Sequence, residues 1–233
     1  ALLMIQANIH AGEPDGNDAG MLLIKRMIAE KSYPHNVTIL FLPIVNPDGL
    51  ARFGAYNRIN QNGPEEMGWR VTAQNLNLNR DFVKADAPEM QYWLKMYNTW
   101  VPDFFIDCHV TDGADYQYVI TYMMETLGNM NPEQTKWQNK YLNHITPIMN
   151  EAGYPISPYV SFRNWHDPRS GLYSQPTPPM LSNGYSAIQN RVGLLIEAHS
   201  LKPYATRVYA MLKLFEETIA YIEADSENLI KLG

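Results

Sequence analysis

An apolar run of nine residues, Val37 to Val45, carries Val, Ile, Leu and Phe with a single polar side chain, Thr38. Such a run predicts a central strand buried on both faces. Leu2 to Ile5, Phe104 to His109 and Val192 to Ala198 read as further buried strands, and Tyr118 to Tyr122 as a shorter one. Between them the period changes to that of helices. Asp18 is placed to cap a helix from Ala19 to about Lys31, with Leu22, Leu23, Met27 and Ile28 on one face. Pro88, at a first-turn position, opens a helix to about Trp100 with Met90, Trp93, Leu94 and Tyr97 on one stripe. Asn131 opens a third, ending near Gly153, which Pro147 is expected to kink, and Pro203 precedes a long amphipathic helix. Strands alternating with helices predict an α/β fold: a mixed, mostly parallel central sheet with helices on both faces. A chain of 233 residues suits one substantial core, so a single domain over 1–233 is expected.

Two stretches lack either period. Asn46-Pro47-Asp48-Gly49 predicts a tight turn, and Leu50 to about Leu78 then reads as a loop wall of a cleft, since long irregular segments in compact domains are usually functional. Residues 154–190, rich in Pro, Tyr, Ser and Asn, read as a second long loop. The net charge of −6, with no cluster of Lys and Arg, argues against a nucleic-acid partner. No run approaches the ~18 apolar residues of a membrane helix, so a soluble protein without a membrane partner is expected. The one cysteine, Cys108, excludes an internal disulfide and reads as a small core residue. Ala1-Leu2-Leu3 has no basic n-region, which leaves the compartment open, export included, with any signal segment outside this chain.

Polar residues of a chemical kind stand where the strands end. His10 and Glu13, in Asn8-Ile9-His10-Ala11-Gly12-Glu13, put an imidazole and a carboxylate three residues apart on a turn behind the first strand. Both suit zinc, and a catalytic zinc site takes three protein ligands, so a third is expected further along. His109, at the end of its strand, is the candidate. In open α/β sheets ligands bind at the carboxyl ends of strands, where these side chains would converge. Glu197 is a carboxylate planted in an apolar strand, which is costly unless it is functional or paired with an arginine. Asn79 and Arg80 set an amide beside a forked guanidinium, a pair suited to capturing a carboxylate unless it bridges to Asp81. His35, His144 and His166 read as structural or surface residues, and His199, pointing the same way as Glu197, as a candidate to touch the site from behind the ligands.

Taken in order, HxxE after a strand, an NPDG turn after the next, a long loop, an Asn-Arg pair, a strand-end His and a Glu in the last strand resemble the carboxypeptidase A-like family of zinc metallocarboxypeptidases. The resemblance covers nearly the whole chain. It implies one zinc per chain held by His10, Glu13 and His109, with Glu197 as general base and Asn79 with Arg80 gripping the terminal carboxylate of a peptide. It also implies an arginine that polarises the scissile carbonyl. The family spacing falls on Gln61, leaving Arg58 as the preferred substitute and Arg70 as the other. A mobile tyrosine is expected near Tyr173, with Tyr185 as the alternative. Family domains begin with about two more strands before HxxE, so the sheet is expected to lack N-terminal edge strands.

The expected function is removal of C-terminal residues from peptides by zinc-activated water. The alternatives are a zinc deacylase or amidase acting on N-acyl amino acids or cell-wall peptides, and a non-catalytic zinc-binding module. Ser182, Asn183 and Gln189, in the stretch from Leu181 to Asn190, point to a neutral polar specificity pocket.

Overall fold

The computed structural model describes residues 1–159, 161–164 and 167–233; His166 lies outside them. The elements are β1 (Leu2–Gln6), α1 (Asp15–Glu30), β2 (Thr38–Leu42), α2 (Pro47–Ala51), α3 (Pro88–Trp100), β3 (Phe104–Val110), β4 (Ile120–Met124) and α4 (Pro132–Glu151). There follow β5 (Ile156–Pro158), β6 (Phe162–Asn164), β7 (Asp167–Leu172), α5 (Ser182–Ile188), β8 (Val192–Ala198) and α6 (Tyr204–Leu232). The main sheet has the order β2-β1-β3-β8-β4-β5, and β6 and β7 form a separate hairpin. β2, β1, β3 and β8 run parallel, while β4 is antiparallel to β8. A mixed, mostly parallel sheet is what the alternation predicts.

Side chains of a strand alternate between faces, and here the alternation divides two cores. Leu3, Ile5, Phe104, Ile106, Cys108, Leu194 and Ile196 pack with residues of α1, α4 and α6. Met4 and Phe105 point the other way, into a cluster with Trp93 and Tyr97 of α3 and Tyr185 of α5. Asp107, His109, Leu195 and Glu197 therefore lie on the α3–α5 side, and the first core closes the opposite side.

β2 is an edge strand, with no residue fully buried, rather than a central one. An apolar run reports what covers a strand's faces and says nothing of its lateral neighbours. Its Ile39 and Phe41 line a shallow apolar groove with Leu23 and Tyr33. α1 begins a turn earlier than Asp18 predicts, because Asp18 and Asp15 are engaged elsewhere, with the Tyr204 hydroxyl (2.7 Å) and Arg207 (2.7 Å). The NPDG turn is the short helix α2, in which Asn46 accepts from the Gly49 N–H at 2.9 Å. β4 lies two residues later than expected. Residues 154–190 contain β5, the hairpin and α5, elements too short to show a period. Pro147 sits inside α4, which continues past it to Glu151. No helix among the described residues is long and apolar enough to cross a membrane.

Candidate active site

Asn8, which takes a positive φ of 55°, turns the chain out of β1, and His10 and Glu13 follow on a turn closed by the Glu13 N–H to the His10 carbonyl at 3.0 Å. β3 delivers His109 to the same point. His10 Nδ1 lies 3.0 Å from Glu13 Oε1, and His109 Nδ1 lies 3.1 Å from Glu13 Oε2. One ligand atom from each of the three buried residues lies within 4.8 Å of the others. The other ring nitrogens are already engaged, His10 Nε2 with Asn77 Oδ1 at 3.0 Å and His109 Nε2 with Asp107 Oδ2 at 2.7 Å. Both Nδ1 atoms therefore face one point beside a carboxylate. Two imidazoles and a carboxylate are a donor set that fits zinc with a coordination position to spare.

Behind His109, Asp107 Oδ1 accepts from Gln6 Nε2 at 2.7 Å, and Gln6 Oε1 accepts from Trp93 Nε1 at 2.6 Å. Ser182 donates its hydroxyl to Asp107 Oδ2 at 2.5 Å. This buried chain fixes the ring of His109, an outer support that metal-ligating histidines commonly have. Sequence reasoning missed Asp107 although a signal was present, since a carboxylate two residues before His109 in an apolar strand invites the argument applied to Glu197. Asn77 left no such signal.

Glu13 collects positive charge. Its Oε1 accepts from Arg58 at 2.6 Å and from Arg70 at 3.3 Å, and its Oε2 from the Val110 N–H at 3.0 Å. Burial opposes ionisation of Glu13, but His10 and Arg58 outweigh it and hold its carboxyl well below the usual range. Burial lowers His10, keeping that imidazole neutral. Burial also acts against a charged His109, yet Asp107 and Glu13 outweigh it and hold the ring well above an ordinary histidine. Gly12 makes room for this arrangement, since a Cβ there would lie 2.7 Å from both Arg58 Cγ and the Gly68 carbonyl oxygen.

His10 and Glu13 line a cleft of about 310 Å³ whose walls also include Glu197, Asn79, Arg80, Arg70 and Tyr173, and His109 is buried beside Glu13. Glu197 makes no ion pair among the described residues. Burial pushes it up to about 8; Glu13 and Asp112 add to this, and His109 and Arg58 oppose it. Arg80 is exposed and donates to its neighbour's carbonyl, that of Asn79, at 2.6 Å, while Asp81 is bonded to the N–H groups of Asp86 and Ala87. The Arg80 fork is therefore not tied to Asp81.

Other candidates are placed elsewhere. Arg58 is buried behind Glu13, whereas Arg70 is half-exposed on the cleft wall. Gln61 donates to the Gly12 carbonyl at 3.1 Å. Tyr185 packs between Phe82 and Tyr97 in the α3–α5 core. His199 is removed from the three candidate ligands: its ring meets the Tyr116 and Leu201 N–H groups and Asp115. Although it is two residues from Glu197, its strand ends at Ala198, so the alternation no longer holds.

The fold and the cluster at its strand ends define a metallocarboxypeptidase-like α/β domain. Residues 2–111 match the model of the zinc carboxypeptidase family. The structure of a metallo-carboxypeptidase from Burkholderia cenocepacia is similar at TM-score 0.66 and 19% identity, covering 97% of this chain and 57% of that one. A metallo-carboxypeptidase from Pseudomonas aeruginosa, in complex with (2-guanidinoethylmercapto)succinic acid, is similar at TM-score 0.65 and 15% identity, covering 98% of this chain and 58% of that one. Carboxypeptidase A from Helicoverpa armigera is similar at TM-score 0.62 and 15% identity, covering 97% and 61%. The chain thus spans about 57–61% of the length of these structures. No curated protein matches it.

Proposed function

We propose that residues 1–233 form a single catalytic domain of a zinc-dependent metallocarboxypeptidase, which removes the C-terminal residue of a peptide. The observation that carries this reading is the convergence of His10, Glu13 and His109 beside a cleft that also presents Glu197 and Arg80, neither of which makes an ion pair among the described residues. His10 and His109 would hold one zinc through Nδ1 and Glu13 through its carboxylate. Zinc bound there supplies a Lewis acid for the carbonyl oxygen and lowers the pKa of water to about 7.

The remaining work falls to the chain's own groups. Asn79 and Arg80 receive the substrate's terminal carboxylate, the fork of Arg80 matching its two oxygens. Glu197 takes the proton of the attacking water on its carboxylate and returns it to the leaving amine, so the base is restored. Arg58, sealed against Glu13, holds that ligand ionised and oriented. Arg70, on the open wall, is placed to meet the carbonyl oxygen as negative charge develops there. Tyr173, on the cleft wall, would cover the bound terminal residue.

The test is zinc analysis of the purified protein together with release of the last residue from matched free-acid and amidated peptides. One zinc per chain, release from free acids and poor turnover of amides are expected. Equal turnover of both forms would remove the carboxypeptidase reading and favour a deacylase.

A further inference from the structure

β4 reads Ile120-Thr121-Tyr122-Met123-Met124, and Thr121 is its one small polar residue. It is 0% exposed, and its Oγ1 has no hydrogen-bond partner among the described residues. The Tyr116 phenol lies nearby, where burial pushes it up and hydrogen bonding toward Thr121 and Thr111 opposes that, but it stays outside bonding distance of the Thr121 oxygen. A buried hydroxyl without a partner costs stability, and valine has nearly the same shape without that cost. Packing alone therefore gives no reason for a threonine here.

The strand pairing supplies one. β4 and β8 are antiparallel, and Thr121 stands directly opposite Glu197. Directly opposed residues share a face with Cβ atoms ~4.5–5.5 Å apart, so rotation of the longer side chain brings its carboxylate within reach of the hydroxyl. Glu197 makes no ion pair among the described residues. A donor without an acceptor thus faces a carboxyl group without a counter-ion. Burial, with Glu13 and Asp112 adding to it and His109 and Arg58 opposing, lifts Glu197 to about 8, so the resting residue keeps its proton at neutral pH. To act as a base it must ionise, and a buried carboxylate then needs a donor. Catalytic hydrogen bonds that are open in an unliganded protein commonly close in its complexes.

We propose that Thr121 is a positioning residue for Glu197: its hydroxyl donates to one oxygen of the ionised carboxylate and leaves the other oxygen to the attacking water. This rests on the carboxypeptidase reading above, in which Glu197 is the base. Thr121 is too deeply buried to touch substrate and acts through Glu197 alone. β-Branching restricts its side chain at χ1, and its oxygen can accept from Tyr116 while it donates to Glu197.

Thr121→Val and Thr121→Ser separate this role from a structural one. In the zinc-loaded protein Thr121→Val should lower kcat about tenfold or more, the scale of a hydrogen bond to a charged group, with KM and zinc content unchanged and the melting temperature equal to the parent's or higher. Thr121→Ser, which keeps the hydroxyl, should restore kcat to near the parent value. In a Glu197→Gln background Thr121→Val should cost nothing further, since the carboxylate it serves is gone. Carbon NMR of labelled glutamate in the metal-free protein reads the contact without turnover. Glu197 should titrate higher in Thr121→Val than in the parent or Thr121→Ser, because a lost donor disfavours the charged form while Glu13, Asp112, His109, Arg58, Tyr116 and Tyr159, the other groups that act on it, stay in place. Parent-like kcat in Thr121→Val, a loss that Thr121→Ser does not restore, or an equal loss in the Glu197→Gln background overturns the role of Thr121 and leaves the carboxypeptidase reading standing. If the parent releases no C-terminal residue, that reading fails and the titration decides: a shift in Thr121→Val that Thr121→Ser reverses upholds the contact, and an unmoved titration overturns it.

Discussion

His109 and Glu197 are register partners in the parallel ladder of β3 and β8. Partners of this kind point to the same face, and neighbouring strands lie ~4.8 Å apart, so backbone pairing sets the distance between the third candidate ligand and the candidate base. The separation does not depend on any loop.

Glu197→Gln should lower kcat by about 10²–10⁴, the range of general acid–base catalysis, with zinc content unchanged because Glu197 is not a ligand. Near-parent turnover in that variant would remove the base from the mechanism.

The same carboxyl should be visible in the stability of metal-free protein. Its folded pKa, about 8, lies above the ordinary value of 4.5, so the folded state binds more protons than the unfolded state across that window. Its contribution to stability is thus present at low pH and lost as pH rises from about 4.5 to 8. Denaturant midpoints measured over this range should fall less steeply in Glu197→Gln than in the parent. Added zinc, a dication beside the carboxylate, should draw its titration downward, which carbon NMR of the labelled glutamate would follow.

Asp107→Asn leaves every candidate ligand in place and removes the charge that holds the His109 ring. Zinc affinity should weaken about 10–100-fold, as for other outer-shell partners. Competition with a chromogenic chelator measures this, and His109→Ala should bind more weakly still. Unchanged affinity in both variants would exclude His109 as a ligand.

Arg80→Ala should lower kcat/KM for free-acid peptides by a factor equivalent to roughly 2–5 kcal/mol, the scale of truncating one partner of a hydrogen-bonded charge pair. Amidated peptides, which offer no carboxylate, should be turned over alike by parent and variant.

Far from the cleft, Arg207 and Asp15 form a fully buried pair at 2.7 Å, and Arg207 also donates to the Ser200 and Gly63 carbonyls. Arg207→Ala strands the Asp15 carboxylate and should cost about 3–5 kcal/mol of stability. Arg207→Met with Asp15→Asn should recover part of that loss in chemical denaturation.

The strands β1, β3 and β8, the four long helices and the candidate metal residues were legible in the chain because each rests on local information. Periodicity marked β1, β3 and β8, proline marked the start of α3, and polar residues at the ends of apolar runs marked His10, Glu13, His109 and Glu197. Tertiary structure alone placed β2 at the sheet edge, since an apolar run is the same whichever strands flank it. It also set the positions of the two arginines, Arg58 buried behind Glu13 and Arg70 on the cleft wall, because the loop that carries them has no period from which direction can be read. The Trp93–Gln6–Asp107 chain behind His109 and the Asp15–Arg207 pair join residues 87, 101 and 192 positions apart. A hydrogen bond leaves no mark on the spacing of residues so distant, and only the packed sheet and helices bring those groups into contact.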